Sequence, residues 1–406
     1  MRASERFINY IQIHTTSDEN SGTHPSFSGE FDLARLLMDE LTELGVQNVR
    51  MDEHAYVYGM LPATPGHEQI APLGFIAHMD TSPDASGKSV KPVFHAGYDG
   101  GDILYPATGA VMSPKDFPFL GKMEGETLIT SDGTTLLGAD DKAGIAEIMT
   151  AFETIISEKR PHGELWVAFT PDEEIGEGTD CFDLEHFGAK FAYTVDGGDV
   201  NCLEYANFNA ASSDITITGF SVNPGSAKDT MINTLNVATE LHSMLPEQER
   251  PEHTEGHEGF YHLTGMSGHV ADARMSYIIR DHDMERFLAR KSNMERIAEE
   301  LNRKYGAGTV KLELKDSYYN MLEKIKPHMH LIENADQAIR QAGLIPEVVP
   351  VRGGTDGARL SYDGIPCPNL GTGGFNFHGN FECITVERMD KAVEVILNIV
   401  NGFKQS

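Results

Sequence analysis

The sequence predicts an α/β domain, a mixed sheet flanked by helices, interrupted by a smaller α+β domain. Three observations carry this. Short unbroken apolar runs end abruptly in acidic or imidazole residues. Leucine-rich and valine-rich segments with helical spacing accompany those runs. The middle of the chain then switches to alternating segments in the order β-α-β-β-α-β, the split pattern of ferredoxin-like domains. A length of 406 residues leaves room for roughly two or three domains at about 150 residues each.

Taken in order, Leu33, Leu36, Leu37, Leu41 and Leu44 recur at three- and four-residue spacing and predict a helix stopped by Gly45. The run 73–77 ends in His78-Met79-Asp80, the run 165–169 in Thr170-Pro171-Asp172-Glu173-Glu174, and the run 191–195 in Asp196-Gly197-Gly198. Continuous apolar runs read as strands buried on both faces, so these belong inside a sheet covered by helices. Residues 214–218, Asp-Ile-Thr-Ile-Thr, alternate with period two and read as a half-buried strand. Leu235, Ala238, His242 and Leu245 follow at helical spacing, then two strands around 261–270 and 273–280. Phe287, Met294, Ile297, Ala298 and Leu301 share a helix face that ends near Gly306, and Val310, Leu312 and Leu314 alternate again. Met389, Ala392, Val393, Ile396 and Val400 predict a last helix, with Thr385 as its cap. The inserted domain is placed at 208–320, and the larger domain comprises 1–207 and 321–406.

Composition narrows the functional classes. Lys and Arg number 32 against 62 Asp and Glu, a formal net charge of −30. A chain this acidic lacks the basic patches that nucleic acid or an anionic membrane surface requires. Residues 1–18 lack the apolar core of a signal peptide, and no run approaches the ~18 apolar residues of a membrane span. Four cysteines without CxxC spacing form neither a disulfide framework nor a thiolate zinc site, so a reducing, cytoplasmic setting is expected. There is no HExxH, GxSxG or GxGxxG, and Gly87-Lys88-Ser89 lacks the upstream glycine of a phosphate loop.

The chemistry is read from the strand ends. Ligands of parallel α/β sheets bind beyond the carboxyl ends of the strands. Those ends offer His78, Asp80, Glu173, Glu174 and Asp196; Gly138-Ala139-Asp140-Asp141-Lys142 and Asn376-Phe377-His378-Gly379 add more carboxylate and imidazole. Nitrogen and carboxylate oxygen suit zinc, and one carboxylate can bridge two metals. Singly, each residue has a plainer reading: His78 as a structural histidine, Asp80 and Asp196 as turn residues, Asp140-Asp141 as the start of a helix. Jointly, several strand ends presenting ligands on one edge point to a metal centre.

The segments 78–84 (His-Met-Asp-Thr-Ser-Pro-Asp), 137–147, 169–174, 193–198, 352–357 (Arg-Gly-Gly-Thr-Asp-Gly) and 376–379 together resemble the co-catalytic zinc peptidases, a family with tripeptide aminopeptidases, carnosinases and desuccinylases among its members. The resemblance spans essentially the whole chain. It implies a zinc-peptidase catalytic domain with an inserted lid that also forms a homodimer, and two Zn2+ per subunit. It assigns His78, Asp140 and Asp196 to one zinc and Asp140, Glu174 and His378 to the other, with Asp140 bridging. Glu173 becomes the general base and Asp80 the residue that orients His78. Arg280, Arg352 and, more loosely, Asn320 match substrate-binding positions, although salt bridging is the competing reading for the arginines. One departure stands in the lid. The family pattern has histidine before Pro-Gly, where this chain has Asn223; the histidine's implied role is to stabilise an oxyanion in a neighbouring subunit's site.

Small peptides are therefore the expected substrates, and removal of the N-terminal residue from tripeptides is the leading reading. A dipeptide or N-acyl amino acid substrate on the same metal centre is the alternative. A non-catalytic metal-dependent binding protein, suggested by Asn223, is the third; an intact Glu173 argues against it.

Overall fold

The structure, a computed structural model, describes residues 1–405. The chain divides into two compact units, residues 1–205, 323–349 and 355–406 forming the first and residues 206–322 and 350–354 the second.

The first unit is built on an eight-stranded mixed sheet with strand order 47–51, 57–61, 165–170, 73–78, 191–197, 369–371, 202–204, 347–348. Strands Leu73–His78 and Leu165–Thr170 are buried along their whole length, as their unbroken apolar runs require. Both pair in parallel, with His78 opposite Thr170, and Ile76 pairs with Thr194 on the next parallel strand. His78, Thr170 and Asp196 therefore leave the sheet at one level. The helix Glu30–Glu43 stops before Gly45, whose φ of +84° suits glycine. The helix Val386–Gly402 starts at Thr385, whose side chain accepts the Arg388 N–H.

The helix Ala139–Ser157 lies hard against strand Phe191–Gly197. A Cβ on Gly144 would stand 1.9 Å from the Val195 carbonyl oxygen, so only glycine permits the approach. One turn further on, Glu147 is fully buried, and neither carboxylate oxygen has a hydrogen-bond partner among the described residues. Burial pushes its pKa well above the ordinary carboxylate value. A carboxyl with a raised pKa in the fold supports stability fully only below its unfolded pKa, and that support is lost as pH rises toward the folded value. Glu147→Leu is therefore expected to stabilise the protein by about 1–3 kcal/mol. The gain in Tm should be larger at pH 8 than at pH 5, which thermal unfolding at both values checks.

In the second unit, four antiparallel strands run in the order 260–268, 272–281, 209–218, 310–318. The helices Thr234–Met244 and Met284–Tyr305 bury Val237, Leu241, Phe287 and Ile297 against Ile215, Ile217, Met275 and Val310 of the sheet. Against the expected 208–320, the second unit runs two residues further at each end, and residues 350–354 join it as well. Val351 donates its N–H to Ala206 O at 2.9 Å, and Arg352 donates to the carbonyls of Gly256 and Glu258. Five residues are too few to carry a period, so only their partners reveal where they pack.

Candidate metal centre

Six side chains from five places in the first unit converge beyond the carboxyl ends of its central strands. His78 Nε2 lies 2.9 Å from Asp140 Oδ1 and 3.3 Å from Asp196 Oδ1. His378 Nε2 lies 3.1 Å from Asp140 Oδ2 and 2.9 Å from Glu174 Oε2. Asp140 thus turns one oxygen to each histidine. Glu173 stands behind, its Oε2 3.9 Å from His78 Nε2. Ligand atoms each about 2.0–2.1 Å from a common zinc ion lie about 3 Å apart, the spacing seen in both groups.

Local backbone explains the convergence. His78 and Asp196 are strand ends. Asp140 follows Gly138, which has a φ of +86°, and Asp140 and Asp141 are non-helical although they stand at the mouth of a long helix. The two residues do stand at the start of the helix, but through a kinked entry that turns Asp140 out. The kink is pinned by Glu382, fully buried, which accepts N–H bonds from Leu137 and Gly138 at 2.7 Å and from Asp140 at 2.9 Å. Asn376 and His378 both have positive φ, +55° and +64°. That conformation is costly for non-glycine residues and places the His378 ring.

Asp80 sits under the site. Its carboxylate accepts N–H bonds from Glu173 at 3.0 Å and Glu174 at 3.1 Å, and its Oδ1 lies 3.2 Å from His78 Nδ1. It thus contacts a histidine and a loop at once. Asp141, absent from the sequence-derived set, accepts the His78 N–H at 3.1 Å and lies with His78 and Asp196 in a second possible ligand grouping.

The electrostatics describe a site with an excess of anions. Burial raises Glu173 well above the usual carboxylate range, and Asp196 adds to it. Burial, then Asp140, pushes Glu174 up to about 8, and burial raises Asp196 to about 6. Burial works against Asp140 too, yet the hydrogen bonds from His378 and His78 outweigh it and pull its pKa down. Asp140 and then Glu174 push His378 up to about 11. Glu174 Oε1 and Asp141 Oδ1 are buried and have no hydrogen-bond partner among the described residues. Clustered carboxylates, two imidazoles and orphaned buried oxygens fit divalent cations, which relieve the repulsion and satisfy the open lone pairs.

The four other sequence-derived residues belong to the second unit. Arg280 donates to Arg352 O at 3.0 Å, and its buried Nε has no hydrogen-bond partner among the described residues. Arg352 reaches Thr254 Oγ1 as well as the carbonyls of Gly256 and Glu258. Asn320 is buried; its Oδ1 accepts from the N–H groups of Asn207 and Leu322, and its Nδ2 donates to His282 O. This is a knot that joins three chain segments. Asn223 is more exposed, and its Oδ1 accepts the Gly225 N–H at 2.9 Å.

Comparison with known proteins follows the same lines. The profile of Peptidase family M20/M25/M40 matches residues 131–402. A protein of Clostridium novyi described as Peptidase T is 56% identical over 403 residues, covering 98% of each chain. In fold, the chain is similar to an aminopeptidase PepT from Bacillus cereus, with a TM-score of 0.79 at 23% identity over 99% of this chain and 98% of that one. It is similar to a tripeptidase from Staphylococcus aureus with the same TM-score and identity, over 98% and 97% of the two chains. No helix among the described residues is long and apolar enough to cross a membrane.

Proposed function

From the premise that the chain belongs to Peptidase family M20/M25/M40, we propose that it is a zinc-dependent aminopeptidase releasing the N-terminal residue of tripeptides. The observation that carries the reading is Asp140, whose two oxygens face two different histidines. His78, Asp140 and Asp196 would hold one zinc and Asp140, Glu174 and His378 the other. Zinc bound there would supply acidity to a water and polarise the scissile carbonyl.

The chain's own residues do the rest. Glu173 is the proposed general base: its carboxylate stands behind the two histidine groups, with Oε2 3.9 Å from His78 Nε2. It takes a proton from the attacking water as the water oxygen bonds to the carbonyl carbon. It hands that proton to the departing amine nitrogen as the C–N bond breaks. Asp80 holds the backbone of Glu173 and Glu174, so base and ligand keep their separate directions. Arg280 and Arg352 remain the proposed substrate-binding arginines by motif; Arg352 is engaged with backbone carbonyls of its own unit, whereas the buried Arg280 Nε has no hydrogen-bond partner among the described residues. The same reading includes a homodimer through the second unit and a cytoplasmic location; four free cysteines fit a reducing compartment.

The test is hydrolysis of unblocked Ala-Ala-Ala by zinc-loaded protein beside N-acetylated Ala-Ala-Ala. Release of free alanine from the unblocked peptide alone supports the reading. Cleavage of a dipeptide or N-acyl amino acid in its place moves the activity to the alternative substrate class. In the same assay, Asn223→His is expected to raise kcat, because a missing oxyanion donor costs on the order of 10²–10³ in turnover and asparagine supplies part of it. An unchanged kcat removes Asn223 from that role.

A further inference from the structure

Glu173 and Glu174 lie on the loop that follows strand Leu165–Thr170, and this loop makes awkward turns. Asp172 has a φ of +54° and Gly176 of +77°. A loop with a left-handed non-glycine residue needs outside support to hold one shape. Asp172 itself is held by Glu30, which accepts its N–H at 3.1 Å, and by the Ser26 N–H, which donates to its carboxylate at 2.7 Å, while Asp80 supports Glu173 and Glu174. The two ends of the loop rest on a feature with no part in the chemistry described so far, the short helix Asp356–Tyr362.

At one end, Thr170 Oγ1 donates to Asp356 Oδ2 at 2.7 Å, both groups fully or nearly fully buried. Thr170 is itself fixed, since its carbonyl accepts the Met79 N–H at 2.8 Å. At the other end, Gly178 packs directly on the Asp356 carboxylate: a Cβ there would stand 2.2 Å from Oδ1 and 2.6 Å from Oδ2. One turn along the helix, Arg359 donates to Gly176 O at 2.6 Å and to Asp180 Oδ1 at 2.5 Å. The helix is firmly seated. A Cβ on Gly357 would stand 2.5 Å from Cys367 O, and Ser361 Oγ accepts the Cys367 N–H at 3.0 Å.

We propose that Asp356 and Arg359 are positioning residues, which clamp the loop from Thr170 to Asp180 at both ends and so fix the aim of Glu173. The inference rests on Glu173 as the general base. Asp356 sets where the loop leaves the strand and where it returns. Arg359 closes the turn between. Gly178 is glycine because the clamp has no room for a side chain.

The test uses full-length, zinc-loaded protein with an unblocked tripeptide. Asp356→Ala is expected to lower kcat by about 10–100-fold, the scale of a catalytic group displaced by about 1 Å. KM should stay within about twofold, and two metals per chain should remain by elemental analysis. Asp356→Asn should recover most of kcat, because its carboxamide oxygen still accepts from Thr170. Gly178→Ala alone should lower kcat to a similar extent, and should cost little more in the Asp356→Ala background, where its methyl meets no carboxylate. Arg359→Ala should give a smaller loss in kcat, again with KM unchanged. An unchanged kcat in Asp356→Ala, a failure of Asn to rescue, full additivity with Gly178→Ala, or recovery on adding excess zinc would each overturn the clamp. If Glu173→Gln retains full activity while Asp356→Ala loses it, the assignment of the base fails instead.

Discussion

Glu173→Gln is expected to lower kcat on an unblocked tripeptide by about 10²–10⁴-fold, the usual contribution of a positioned general base. KM should change little. Glutamine keeps the shape of the side chain and leaves the Asp80 bond to the Glu173 N–H in place. It cannot carry a proton between water and amine. Glu173 Oε2 is 3.9 Å from the nearest imidazole nitrogen, whereas Glu174 Oε2 is 2.9 Å from His378. The glutamine variant should therefore bind both metals, and Glu174→Gln should lose metal as well as activity. Steady-state kinetics with elemental analysis separates the two residues. A Glu173→Gln protein that has lost metal would make Glu173 a ligand and leave the base to be found elsewhere.

Asp140→Asn is expected to abolish activity through the metals themselves. One carboxylate serves both histidine groups, so a single neutral side chain weakens both positions. The loss of affinity should exceed the 10–100-fold typical of residues that only orient a ligand. Protein desalted into metal-free buffer should retain two metals per chain as wild type and fewer as Asp140→Asn. Protons make the same point. Asp140 and Glu174 push His378 up to about 11, so at neutral pH an incoming cation displaces at least one proton from its ring. Apparent affinity should then fall at least tenfold for each pH unit lowered, checked by competition with a chelator between pH 6 and 8. A flat profile would mean that His378 is already deprotonated and not held by those carboxylates.

Much of this was legible in the sequence because it was written in patterns. The runs 73–77, 165–169 and 191–195 are apolar without interruption, which only a doubly covered strand tolerates, and their abrupt polar ends marked the functional edge of the sheet. The β-α-β-β-α-β order of the inserted unit was equally plain, since a change of period needs no knowledge of partners. What escaped was whatever depends on contacts distant in sequence. Glu382 holds the Asp140 kink from more than two hundred residues away, and nothing around it announces a role. Asp141 looked like its neighbour. Asp356 lies within the segment 352–357, but its partners, Thr170 and Gly178, are far away in sequence.

The two histidines of the centre differ in one respect that bears on how the site is filled and emptied. The side chain of His78 is 2% exposed and that of His378 is 42% exposed. Solvent reaches the His378 ring directly and the His78 ring hardly at all. Ions held at the two positions would therefore be expected to exchange at unequal rates, which chelator-driven metal release followed over time checks. With two ions held as proposed, the one on the His378 side would be expected to leave first and to be replaced first, and the one on the His78 side to stay longer. A preparation stripped briefly would become a half-loaded enzyme with its remaining ion on the sheet side. A mixed-metal enzyme would carry the newcomer at the solvent side, in contact with Glu174.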